Sequence, residues 1–252
     1  MLRKGFVFAM FAAFLGFATI AAAAVSPTDL AVQNALRAEL AKKHASVQAA
    51  VEDRVATLDG TVDSYLGKRA AERTARKYPA LTSVVNRITV AGPSVADEEL
   101  AAKLARKLAY DRPSQGNVFN AFIVSVQNGA VTVSGYARDY MGRNSAIAVV
   151  AAEKGVKDVV DRIEVLPTST FDDRIRLAAI RRIYANPSLQ KYAVNPAHPI
   201  RVIVRNGHVI LEGAVLNEGD RTIAGLAANS AFGAFSVTNN LKVDNAAKSM
   251  GD

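Results

Sequence analysis

The chain of 252 residues has no cysteine and only three histidines. Without cysteine there is no disulfide framework, no thiolate nucleophile and no thiolate metal site. The lipid-attachment cysteine that follows the signal of a bacterial lipoprotein is missing as well. The histidines, His44, His198 and His208, are scattered rather than set at metal-ligand spacing. His198 lies in the proline-constrained stretch "NPAHPI", and His208 directly follows a hairpin turn, where it faces solvent. No G-x-S-x-G, H-E-x-x-H or phosphate-loop sequence occurs. Ser134 precedes a glycine, but strand alternation accounts for it. These absences point to a non-catalytic protein without a cofactor or metal.

What the chain does have is apolar residues, 50% of the total, and a basic excess of +8. That apolar content suffices for one to three compact domains. The amino terminus reads as an export signal: Arg3 and Lys4, an apolar stretch from Phe6 to Ile20, then small residues at Ala21–Ala24. The competing reading is an uncleaved anchor, because Gly5–Ala24 approaches the roughly 20 residues that span a bilayer. The alanine run and the following "SPTD" favour cleavage near Ala24, so residues 1–24 are expected to be removed and the mature protein to be periplasmic. A basic excess suggests an acidic partner, nucleic acid or an anionic membrane surface. Export argues against nucleic acid.

The strongest signal is an internal repeat of about 75 residues. Strand-like runs stop at Gly60, Gly135 and Gly213, and in each case a β-prone run closes on a valine 30 residues later, at Val90, Val165 and Val243. Upstream of each glycine lies a helical segment: "TDLAVQNALRAELAKK", "ADEELAAKLARKLAY" and "FDDRIRLAAIRRIY". In the second, Leu100, Leu104 and Leu108 form one apolar stripe. Ser94, Asp97, Asp172 and Asp173 sit where N-caps and first-turn acids belong, so helix-start electrostatics explains the paired acids better than catalysis. A hairpin follows. "FIVSVQNGAVTVSG" and "IRVIVRNGHVILEG" alternate apolar and polar residues on both sides of Asn128–Gly129 and Asn206–Gly207, the pairing that favours a type I′ turn. In the first copy the turn is "VEDRV", with weaker turn chemistry. The repeat glycine ends the second hairpin strand, where a residue without Cβ permits a bulge or a close backbone approach. A second helix and the closing strand complete an order of α-β-β-α-β.

The pattern V-x-N-G-x-V-x-(L/V)-x-G, a helix, then V-x-(D/N)-x-(I/L)-x-V resembles the BON domain, named for bacterial osmotically inducible periplasmic and nodulation-type proteins. Val126–Gly135 with Val159–Val165, and Val204–Gly213 with Val237–Val243, carry the resemblance. The first copy keeps Leu58, Gly60 and "VVNRITV" but lacks Asn-Gly, and so is degenerate. The resemblance implies an α+β protein of three tandem modules, each a small three-stranded sheet with two helices packed on one face. It implies an exported envelope protein without catalytic residues, of a family in which some members contact phospholipid. The expected limits are 28–91, 94–167 and 170–245, with a disordered tail at 246–252.

The charge excess belongs to the outer repeats. Residues 25–93 carry 10 cations against 7 acids, residues 168–252 carry 10 against 7, and residues 94–167 carry 9 of each. On a helical wheel, Lys68, Arg69, Arg73, Arg76 and Lys77 share one half of the circumference with Glu72, opposite Ala70, Ala71, Thr74, Ala75 and Tyr78. This basic face is the expected contact with an anionic phospholipid or membrane surface. The expected role is therefore envelope maintenance, under osmotic stress for example. The alternative is a periplasmic scaffold that docks an envelope protein.

Overall fold

The computed structural model describes residues 26–110, 116–194 and 199–244. The expected signal sequence, His198 and the expected tail lie outside them. Three α-β-β-α-β modules follow one another. The first comprises α1 (Pro27–Ala41), β1 (Val47–Glu52), β2 (Val55–Val62), α2 (Tyr65–Ala75), β3 (Ser83–Asn86) and β4 (Thr89–Val90). The second comprises α3 (Asp97–Tyr110), α4 (Gly116–Phe119), β5 (Ala121–Gln127), β6 (Ala130–Ala137), α5 (Tyr140–Ala151) and β7 (Asp158–Val165). The third comprises α6 (Thr170–Tyr184), a 3₁₀ turn (Pro187–Leu189), α7 (Gln190–Val194), β8 (Arg201–Arg205), β9 (His208–Glu212), β10 (Ala214–Val215), α8 (Glu218–Asn229), β11 (Ser236–Asn239) and β12 (Lys242–Val243).

In every module the second hairpin strand is central. It pairs antiparallel with the first and parallel with the last. The parallel register is the same three times: Val55 faces Ser83, Ala130 faces Asp158, and His208 faces Ser236, each 28 residues on. Two helices cover one sheet face. Their inward positions are small on the second helix, Ala71 and Ala75 in α2, Ala146 and Val150 in α5, Ala224 and Ala228 in α8, which lets it lie close to the sheet. Leucine and isoleucine of the first helix fill the remaining space: Leu36 and Leu40, Leu100 and Leu104, Ile175 and Ile183.

The repeat glycines are required by the backbone. Gly60, Gly135 and Gly213 have φ of +129°, +102° and +125°. A Cβ on them would lie 2.0 Å from the Ser46 carbonyl oxygen, 2.1 Å from that of Ala121 and 2.6 Å from that of Pro199. No side chain fits. Asn128–Gly129 and Asn206–Gly207 have positive φ at both positions, as a type I′ turn demands. The first module makes the same turn from Asp53 (φ 49°) and Arg54 (φ 64°), so the geometry survives the loss of Asn-Gly. Two features depart from expectation. Helix α3 starts at Asp97, which leaves Ser94 too early to cap it. The short α4 and the 3₁₀–α7 insertion had no periodicity long enough to announce them. In the insertion, Leu189 and Tyr192 are buried in the third core.

Candidate functional site

The basic helix forms because Ser64 caps it, accepting from the Gly67 amide at 3.2 Å, while Ala71 and Ala75 pack inward. Regular helix ends at Ala75, with Arg76 as its C-cap and Lys77 just beyond. The five cations therefore meet different fates. Lys68 is partly buried and reaches Asp158 of the second module at 3.6 Å. Arg76 pairs with Glu72 at 2.7 Å. Burial works against the charge on Glu72, yet the Asn86 amide and Arg76 hold its carboxyl below the usual carboxylate range. Arg69, Arg73 and Lys77 are exposed and, among the described residues, have no acid within ion-pairing distance. Lys77 instead lies beside the end of α1, where Lys42, Lys43 and Lys77 together draw the Glu39 carboxyl downward, Lys42 most strongly through a 2.7 Å hydrogen bond. Lys43 extends the basic surface beyond α2, an extension that a single-helix wheel does not reveal. The corresponding helices are poorer in cations, and theirs are paired: Arg143 with Asp161 at 2.7 Å on α5, Arg221 with Glu218 at 3.3 Å on α8.

The first-turn acids do more than start helices. Asp97 accepts from the amides of Asn128 (2.6 Å) and Gly129 (2.9 Å), and Asp172 from those of Asn206 (2.9 Å) and Gly207 (2.8 Å). Asp29 makes one such bond, to Arg54, at 3.3 Å. One carboxylate thus clamps the hairpin turn of its own module onto the first helix. Of the adjacent acids, Asp172 serves the turn. Asp173 pairs with Arg138 of the second module at 3.4 Å and with buried Arg176 of its own helix.

That ion cluster belongs to the joint between the second and third modules. The Phe119 ring centroid lies 5.6 Å from the Arg138 guanidinium carbon and 5.7 Å from that of Arg176. Beside it, Ile203 is fully buried against Ala121 and Leu166, with Tyr136 and Ile210 packed around them. Arg205 reaches Glu164 at 2.9 Å. The sequence did carry this signal. Ile203 and Ile210 occupy outward positions of the hairpin, where strict alternation calls for polar residues, so the alternation expected there is broken by a second buried face. The joint between the first and second modules is different. Tyr65, at the start of α2, packs against the second core with its hydroxyl at the Val159 backbone, and Asp63, Ser64, Gly92 and Pro93 face Ala152–Lys157 across a cavity of about 50 Å³.

A further polar cluster, centred on buried Asp220, is in the third module. Tyr192 donates to Asp220 at 2.6 Å and accepts from the Leu216 amide at 2.8 Å, while Lys191 and Asn217 reach the same carboxylate at 2.7 and 3.1 Å. Burial opposes charge on Asp220, but these donors hold its carboxyl below its ordinary range. Burial and the adjacent carboxylate push the Tyr192 hydroxyl upward, away from what a phenolate nucleophile or base needs. The cluster latches the inserted α7 onto the start of α8. His208 is exposed, 2.7 Å from the Ser236 hydroxyl and edge-on to Phe235. Among the described residues no group of three or more histidines, aspartates and glutamates is arranged to hold a metal, and no helix is long and apolar enough to cross a membrane.

Comparison with known families matches the BON domain at residues 28–92, 96–167 and 172–245. No curated protein matches the sequence. Among solved structures, the chain is similar to CdsD, a structural protein of the type III secretion system of Chlamydia trachomatis, at 15% identity and a TM-score of 0.24, over 82% of this chain and 89% of that one. The C-terminal domain of CdsD matches at 16% identity and a TM-score of 0.22, over 87% and 100%.

Proposed function

Because the chain belongs to the BON domain family, whose domains are generally non-catalytic binding modules of envelope-associated proteins, we propose that it is an exported envelope protein that binds anionic phospholipid at a membrane surface. The observation that supports this reading is the trio Arg69, Arg73 and Lys77, exposed on the first module and, among the described residues, in no direct ion pair, although Glu72 and Glu39 lie within electrostatic reach of Arg69 and Lys77. Each basic residue close to an anionic surface contributes about 1 kcal/mol, so three give attachment of about 3 kcal/mol, weak and reversible. Leu66 is the one large exposed apolar side chain among the residues of α2, so contact is superficial and not inserted. Such a module serves envelope maintenance, including under osmotic stress.

Flotation of the full chain with phosphatidylglycerol vesicles tests the reading. Flotation should be strong at low salt and fade as salt screens exposed charge. Arg69→Glu combined with Arg73→Glu should reduce it several-fold without changing the melting temperature. A double variant that floats like the parent chain would make this helix a solvated face and nothing more.

A further inference from the structure

The joint between the first two modules uses two parts that recur, unjoined, elsewhere in the chain. Its first part is Tyr65, the residue directly after the N-cap Ser64 of the second helix. Its second part is the loop after the next module's second helix, Ala152–Lys157, with the first residues of β7. In the second module the residue directly after the corresponding N-cap, Asp139, is also a tyrosine. Tyr140 is 69% exposed. In the third module that position is Glu218, so no third tyrosine competes.

The loop recurs too. Lys157 and Phe235 each donate from the backbone to the glycine of their module's hairpin turn, Gly129 and Gly207, which aligns Lys157 with Phe235 and Lys154 with Phe232. Where the second module's loop carries lysines beside the first module, the third carries phenylalanines. Phe232 is 93% exposed and Phe235 68%, and Phe235 lies 5.7 Å from Phe171, itself 40% exposed. The Phe171–Phe235 pair, with Phe232 projecting from the same loop, is exposed apolar surface of the kind that marks an interaction site.

Within one chain these parts do not meet. The second and third modules are joined through Phe119, Ile203 and their neighbours, and among the described residues nothing covers Tyr140 or the phenylalanine loop. We propose that a second copy of the chain supplies the missing half: Tyr140 of one copy docks on the Phe232–Phe235 loop of another and the strand start that follows it, in the manner in which Tyr65 docks at Asp158 and Val159 of the second module. The contact joins unlike surfaces, so reciprocal exchange closes a dimer and unreciprocated exchange lengthens an assembly. A patch this small makes a weak contact, of the order of micromolar. The inference concerns self-association and stands or falls separately from lipid binding.

Sedimentation velocity over a concentration series tests it with two variants, Tyr140→Asp and Phe232→Asp. Both positions are exposed, and an acid at the first residue of α5 suits the helix start, so unchanged melting temperatures should accompany both. The parent chain should self-associate, and each variant alone should weaken association by about tenfold or more. Mixed together, the two variants should form a heterodimer, because one retains the tyrosine and the other the loop. A parent chain that remains monomeric throughout, or a mixture that does not associate, overturns the proposal. Loss of vesicle flotation in Phe232→Asp with a monomeric parent would overturn it as well, and would make the loop a membrane wedge.

Discussion

The second and third modules share an interior and differ on their outer surfaces. Their cores use the same positions: Val131 and Val133 against Val209 and Leu211 on the central strand, Ala146 and Val150 against Ala224 and Ala228 on the second helix. The outward hairpin positions diverge. Ser125 and Thr132 stand where the third module has Ile203 and Ile210, and Lys154 and Lys157 stand where it has Phe232 and Phe235. At the position of buried Ala231 the second module has Glu153, held by Lys103 at 2.8 Å and Lys107 at 2.6 Å. Inward residues therefore specify the module, whereas outward ones decide what each copy is attached to. If this division is right, inward substitutions should cost a great deal in either module, and outward ones should cost unequally.

The largest effect should come from Gly135→Ala. Its Cβ would sit 2.1 Å from a backbone oxygen at a φ of +102°, and the expected loss is about 3 kcal/mol or more. Gly67→Ala is the control: its Cβ would meet nothing closer than 3.4 Å, so a melting curve should show no loss. Next is Asp172→Ala, which strips one buried and one part-buried turn amide of a charged acceptor. A loss of about 2–4 kcal/mol is expected by denaturant titration. Asp29→Ala removes a single 3.3 Å bond and should cost about 1 kcal/mol. Equal losses at the two sites would break the view that the first module's clamp is the weaker one.

Outward substitutions sharpen the contrast. Ile203→Asp should separate the third module from the second, with a loss of about 2 kcal/mol in burial alone and faster protease cleavage at Leu166–Ser169. Ser125→Asp, at the same position of the second module, should leave both melting and cleavage unchanged. The smallest expected effect is a pH dependence. Burial disfavours the charged form of Glu153, but Lys103 and Lys107 overcome this and hold its carboxyl below the ordinary 4.5. A depressed value means stabilisation that is complete above pH 4.5 and lost as pH falls through the folded-state value. Glu153→Gln should remove that acid-dependent loss from the melting temperature of the second module and leave the third unaffected.

Much of this was legible in the residues themselves. The 28-residue register lay behind the constant glycine-to-valine interval, and the type I′ turns followed from Asn128–Gly129 and Asn206–Gly207. The roles of Asp97 and Asp172 were legible only in part. Their place in the first helical turn was readable, but the turns they clamp lie 31 and 34 residues further on, and local pattern holds no trace of so distant a partner. A helical wheel shows direction but not neighbours, so it places Lys68 on the free basic face. Asp158, which meets it, belongs to another module. At Ile203 an isoleucine among valines looks like more core, and only the parity of its position distinguishes the two faces.

The clamp also has a consequence for the order of events as the chain is made. Each module's long-range bonds, from the carboxylate to its turn and from the turn to its closing strand, lie entirely within that module. A module emerging from the amino-terminal side can therefore close before the next one exists. Two outward contacts differ: Tyr65 of the first module waits for the second core, and Ile203 on the outer face of the third hairpin needs a surface it does not itself carry. That surface, formed by Ala121, Tyr136 and Leu166, lies upstream and is already assembled when β8 arrives. This strand, apolar on both faces, thus appears beside a finished template.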